Sequence, residues 1–125
     1  MTKGVGMGAA EAGQLIEQFG KFFSSGDVDG LLSLYEDDAI VPTEQGVLRG
    51  EEAIRGWLQG FVDSGAVLTF GTSVVLETGD IALTHNVWST PDGGGGVTAE
   101  VLRRQPDGTW KYLVDNPVGG AVTGS

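Results

Sequence analysis

The chain has 125 residues, a formal net charge of −10 and no cysteine. That length suits one domain with a usable core, and the missing cysteine removes disulfides, thiol nucleophiles and thiolate metal sites together. The seven basic residues form no cluster beyond Arg103-Arg104, so nucleic acid and anionic membrane surfaces are excluded as partners. No apolar run approaches membrane-spanning length, and the first residues lack the basic-then-apolar layout of a secretion signal. The expected compartment is the cytoplasm.

Residues 1–10 are glycine-rich and read as a flexible tail, as do residues 118–125. Gly4-Val5-Gly6-Met7-Gly8-Ala9 has the spacing of a dinucleotide-binding motif, but only three residues precede it where that motif needs a strand. Residues 11–117 read as the single folded domain. From Glu11 to Ser24, Leu15, Ile16, Phe19, Phe22 and Phe23 make one wide apolar helical stripe. Ser25-Gly26 stops that helix and Asp27 caps a second. The second helix turns Leu31, Leu32, Leu34 and Tyr35 inward and ends at Glu36-Asp37-Asp38, before a short strand from Ala39 to Thr43. A third helix, from Gly50 to Val62, carries Glu51 and Glu52 at its positive end and Ile54, Trp57, Leu58 and Phe61 on its inner stripe.

After Asp63-Ser64-Gly65 the period changes to two. Strands are expected from Ala66 to Glu77 and from Ile81 to Ser89, with a tight turn at Thr78-Gly79-Asp80. Pro91 to Gly96 is a glycine-rich loop, and a hairpin from Val97 to Asn116 closes the chain around Gln105-Pro106-Asp107-Gly108-Thr109. This order implies an α+β fold in which an antiparallel sheet curls around the helices.

The closing hairpin carries the chemistry. Strict alternation puts Val97, Ala99, Val101, Arg103, Trp110, Tyr112 and Val114 on one face. Thr98, Glu100, Leu102, Arg104, Lys111, Leu113 and Asp115 fall on the other. If the second face lines a dry pocket, Glu100 and Asp115 cannot both ionise comfortably, and one is held protonated as an acid. If it meets water instead, Lys111 and Arg104 pair with the carboxylates and the first face is core. A slip of one residue in register exchanges the two. Elsewhere the signals are thin. There is no nucleophile elbow, the single histidine is His85, and neither it nor Glu36-Asp37-Asp38 has the spacing of a metal site.

Several local sequences resemble the ketosteroid isomerase and SnoaL-like superfamily, whose fold is the cone-shaped nuclear transport factor 2-like barrel. They are Ser25-Gly26-Asp27, Leu34-Tyr35-Glu36-Asp37-Asp38-Ala39 and Leu48-Arg49-Gly50-Glu51-Glu52-Ala53-Ile54, followed by Glu100 to Trp110 and Asp115-Asn116-Pro117. The resemblance covers residues 11 to 117, and its closing segments are similar to small uncharacterised bacterial members. It implies a curved sheet wrapped around three helices, with Glu100 at the position of the protonated oxyanion acid of steroid isomerases. The tyrosine position falls on Phe19 and the base position on Thr43, neither of which can do that chemistry. Steroid isomerisation itself is therefore not expected.

The resemblance also puts Leu113 and Asp115 on the pocket wall and implies a homodimer formed through the convex sheet face, there carrying Trp110, Tyr112 and Val114. On the neighbouring strand Thr84, Asn86 and Trp88 face inward and His85 outward, while Trp57 and Phe61 line the pocket from the third helix. The expected ligand pocket is Phe19, Tyr35, Thr43, Trp57, Phe61, Asn86, Trp88, Leu102 and Leu113, with Asp115 and Glu100 as catalytic pair and no metal or cofactor. The expected function is general acid/base chemistry on an apolar, oxygenated ligand, of isomerase, cyclase or dehydratase type. The alternative is a non-catalytic binding or dimeric interaction module on the same fold.

Overall fold

The structure, a computed structural model, describes residues 11–117, without the side chains of residues 72 and 73. Both expected tails and the Gly4–Ala9 glycine motif lie outside the described residues. A 3-10 turn at Ala12–Gln14 leads into helix α1 (Leu15–Ser25), which buries Leu15, Ile16, Phe19 and Phe23. Gly26 ends it at φ 71°, where a side chain would be strained, and the N–H of Asp27 reaches back to Phe22 O at 2.9 Å. Asp27 then caps helix α2 (Val28–Leu32) by accepting from Gly30 N at 2.8 Å.

Two departures from the sequence reading follow. Helix α2 stops at Leu32, so Tyr35-Glu36-Asp37-Asp38 belong to strand β1 (Tyr35–Thr43) and not to a helix end. Acidic residues disfavour strands, but here a tertiary contact decides. Arg103 donates two hydrogen bonds to the Glu36 carboxylate, at 2.9 and 2.6 Å, and Gln105 adds a third at 2.7 Å. A short strand β2 (Gly46–Arg49), which the sequence reading lacks, folds back on β1.

Helix α3 (Glu51–Asp63) buries Ile54 and Leu58, and Glu51 and Glu52 occupy its first turn. Strands β3 (Thr69–Thr78), β4 (Ile81–Ser89), β5 (Gly95–Arg104) and β6 (Trp110–Asn116) complete one six-stranded sheet ordered β2-β1-β6-β5-β4-β3. The sheet is curved and unclosed. All its pairings are antiparallel except β1 with β6, which brings the early Tyr35 beside the late Tyr112. The helices cover the inner face, and Leu31, Val41, Leu58, Leu102 and Trp110 lie at the core between them. No helix among the described residues is long and apolar enough to cross a membrane.

The decisive local feature is a bulge in β6. Val101 pairs with Val114 while Leu102 pairs with Tyr112, so Leu113 is an extra residue without an opposite number. Alternation reverses there. Trp110 and Tyr112 therefore turn inward, 2% exposed each, and do not form the convex face expected of them. Asp115 still points inward, because the bulge restores its parity with Glu100. Lys111 falls on the outer side, and Arg104 bonds Asp80 at 3.0 Å and stacks over Trp110. Neither cation reaches the carboxylate pair, so the water-facing arrangement is not the one adopted.

Glycine packing gives a stability test. A Cβ at Gly30 in α2 would overlap the Phe22 ring, whereas one at Gly56 in α3 would meet nothing within 4 Å. Gly30→Ala should destabilise by roughly 1–3 kcal/mol from overpacking. Gly56→Ala should stabilise by roughly 0.5–1 kcal/mol through helix propensity. Urea midpoints of the two variants check both signs.

Candidate functional site

Glu100 on β5 and Asp115 on β6 are direct cross-strand partners on the inner face, 3% and 7% exposed. Each is held by neutral donors. Thr84 Oγ1 and Asn86 Nδ2 on β4 donate to Glu100 Oε1 at 2.8 and 2.7 Å. Tyr35 on β1 donates its hydroxyl hydrogen to Asp115 Oδ2 at 2.5 Å, and its ring lies 5.0 Å from that of Tyr112. Four strands thus converge on two carboxyls. The alternation in β4 explains two of the donors, since Ala82, Thr84 and Asn86 are buried in turn while Leu83 and Val87 stay outside.

The pair is electrostatically unsettled. Burial, reinforced by Asp115 opposite, pushes Glu100 up to about 7. Burial also lifts Asp115 to about 6, against the pull of the Tyr35 hydrogen bond, which favours its ionised form. Burial holds the Tyr35 and Tyr112 hydroxyls well above their ordinary value, with the Asp115 charge adding to it, so both remain protonated donors. Both carboxyls are thus shifted toward neutrality, and two of them facing each other in a dry site cannot both ionise comfortably, so one is kept as an acid beside the other as a base.

Above the pair opens a cavity of about 770 Å³ between α1, α3 and the inner sheet face. It brings together Phe19, Thr43, Trp57, Phe61, Asn86, Trp88, Glu100 and Asp115 of the residues expected from sequence. Phe19 meets Phe70 edge-on at 5.4 Å and Tyr112 at 6.4 Å, and Trp57 lies 6.0 Å from Phe61. The Thr43 hydroxyl is engaged locally, donating to Gly46 O at 2.7 Å.

Three expected wall residues are not on the wall. Tyr35 sits behind Asp115 in the core, Leu102 is 1% exposed and fully packed, and Leu113 is the half-buried bulge residue. Conversely Ile16, Leu68, Phe70, Thr98 and Tyr112 line the cavity and were absent from the expected set. No sequence signal marks Tyr112 for the cavity, because strict alternation sets Trp110 and Tyr112 opposite Asp115 and only the bulge at Leu113 brings all three inside. Among the described residues no group of three or more His, Asp or Glu side chains is placed to hold a metal ion.

The raised values fix a pH dependence of stability. In the unfolded chain Glu100 and Asp115 have their ordinary values, 4.5 and 3.8, below their values in the fold. The folded state therefore binds more protons across that interval. The stability this proton uptake contributes is fully present below about pH 4 and is lost as pH rises through 6 and 7. The melting temperature of the native chain should fall over that window, by an amount corresponding to a few kcal/mol. Glu100→Gln should flatten the fall, as seen by calorimetry at matched ionic strength.

The SnoaL-like domain family matches residues 16–116 of the chain. Solved structures share the fold at low identity. A nuclear transport factor 2-like protein of unknown function from Shewanella oneidensis MR-1 is 16% identical, with a TM-score of 0.69 over 82% of this chain and 92% of that one. Another from Pseudomonas putida KT2440 is 22% identical, with a TM-score of 0.63 over 82% and 80%. A protein of unknown function with a cystatin-like fold from Nostoc punctiforme PCC 73102 is 16% identical, with a TM-score of 0.66 over 87% and 91%. No curated protein matches the chain. With the family matched over most of the sequence and the fold shared with nuclear transport factor 2-like structures, the chain belongs to the SnoaL-like domain family.

Proposed function

We propose that the cavity binds an apolar, oxygenated small molecule and that Asp115 and Glu100 carry out cofactor-free general acid/base chemistry on it, of isomerase, cyclase or dehydratase type. The observation that supports this most is the pairing of two buried carboxyls, held by neutral donors, beneath a large aromatic-lined cavity. Asp115, the more readily ionised of the two, takes a proton from a carbon next to a carbonyl. Glu100 in its acid form donates to the oxygen where charge develops. Tyr35 is a positioning residue, orienting Asp115 through the 2.5 Å hydrogen bond without touching the cavity. Such a pair contributes roughly 10²–10⁴-fold.

Exchange of the carbonyl-adjacent hydrogens of acetonaphthone in D₂O, followed by NMR, tests proton transfer without knowledge of the natural substrate. The protein should accelerate exchange, and Asp115→Asn should lower the acceleration by roughly 10²-fold or more. Full exchange activity in both Asp115→Asn and Glu100→Gln would remove the proposal.

A second reading has its own support. By the resemblance, Phe19 and Thr43 fall at the positions where a steroid isomerase carries proton-handling groups, and Thr43 is committed to a backbone carbonyl. On this reading the cavity binds a ligand and leaves it unchanged, and acetonaphthone binds without exchange.

We further propose that two copies pair through the outer sheet face. With Trp110 and Tyr112 inside, that face carries an aliphatic patch of Leu76, Leu83, Val87, Val97 and Val101, of which the first four are well exposed. An apolar area of this kind is costly to leave in water. Light scattering should give twice the chain mass, and Leu83→Arg should halve it. A native monomer at micromolar concentration would contradict the pairing.

A further inference from the structure

The cavity's polar atoms have a bias in kind. Three ionisable side chains line it besides Tyr112, namely Glu44, Glu100 and Asp115, and all are acidic. No lysine, arginine or histidine is among the described residues that line it. A second observation points the same way. Asn86 is 3% exposed and lines the cavity, and its amide nitrogen is spent on Glu100 at 2.7 Å. Its carbonyl Oδ1 is left buried without a partner. A buried acceptor lacking a donor carries an uncompensated desolvation cost, which a ligand's N–H or O–H would recover. Thr98 Oγ1, near enough to Glu100 to favour its ionised form, also lacks a well-formed hydrogen bond. Aromatic side chains complete the wall.

From the all-acidic lining, the unpartnered Asn86 carbonyl and the aromatic wall, we infer that the cavity selects an apolar molecule bearing a basic nitrogen. The ammonium enters first and lies between the Asp115 carboxylate and Asn86 Oδ1, to which it donates. The apolar body packs against Phe19, Trp57 and Phe70. A cation near a ring face in a dry site gains further electrostatic attraction from the ring. Carboxylates and phosphates are rejected, since the chain repels them at long range and the floor repels them at contact. This inference rests on the cavity being a ligand site and does not require that the ligand be transformed.

Charge complementarity makes the preference pH-dependent. The titratable groups facing Glu100 are Asp115 and Tyr112 on β6 and Tyr35 on β1, with only the neutral Thr84 and Asn86 on β4. A bound ammonium favours the ionised floor, so its binding expels protons and its affinity rises as pH increases through the range where the pair titrates.

Naphthylethylamine, naphthylethanol and naphthylacetic acid form a matched set of cationic, neutral and anionic probes for calorimetric titration. The amine should bind on the order of tenfold tighter than the alcohol at pH 8, with the advantage shrinking toward pH 5, and the acid should not bind. Asp115→Asn combined with Glu100→Gln should erase the amine's advantage while the alcohol still binds, a result that also shows the variant folded. Equal or tighter binding of the alcohol to the native chain overturns the amine preference and leaves the ligand cavity standing. An advantage for the amine that survives the double substitution overturns the assignment to these carboxyls. Failure of all three probes to bind overturns the ligand cavity along with it.

Discussion

Two carboxyl groups taken out of water on facing strands are the constraint around which this molecule is arranged. Burying an ionised carboxylate without compensation is prohibitive, so the fold must either neutralise the group or supply donors. It does some of both. Glu100 receives a hydroxyl and an amide, Asp115 receives a phenol, and among the described residues no cation bonds to either carboxyl. A lysine or arginine there would have quenched the pair into a structural salt bridge. Neutral donors stabilise the charge only partly, and that incomplete compensation is what leaves the protons movable near neutral pH.

The donors come from distant parts of the chain. Tyr35 lies 80 residues from Asp115 and reaches it only because β1 pairs parallel to β6. Thr84 and Asn86 arrive through β4. The Glu36–Arg103 bridge, with Glu36 held below its usual range mainly by the Arg103 hydrogen bonds, ties β1 to the closing hairpin on the other side of the sheet. The single-residue bulge at Leu113 then settles which side chains share the floor. It sends Trp110 and Tyr112 into the core and keeps Asp115 opposite Glu100, leaving neither of those two aromatic rings on the outer face.

Much of this architecture is written locally and some of it is not. The stripe of Leu15, Ile16, Phe19 and Phe23, the Gly26 stop and the Asp27 cap act within a few residues, and they are visible in the sequence for that reason. The same holds for the alternation that buries Thr84 and Asn86. The Glu36-Asp37-Asp38 run reads as a break because strand propensity is local, while the arginine that holds it in a strand lies 67 residues away. The faces of β6 were misread for a related reason: strict alternation has no place for a bulge, which depends on the register with β5. Glu100 and Asp115 escaped that error because both lie on the same side of the bulge. Tyr35 was expected on the wall and instead supports Asp115 from behind, a role fixed by topology rather than by any motif.

An NMR titration of the side-chain carboxyl carbons of Glu100 and Asp115 would test most directly whether the two acids share a dry floor. Both midpoints should lie well above the ordinary carboxylate range, with Glu100 near 7 and Asp115 near 6, and each signal should sense the ionisation of the other. Midpoints at the ordinary values of 4.5 and 3.8, titrating independently, would mean that water reaches the pair and that the acid/base floor does not exist.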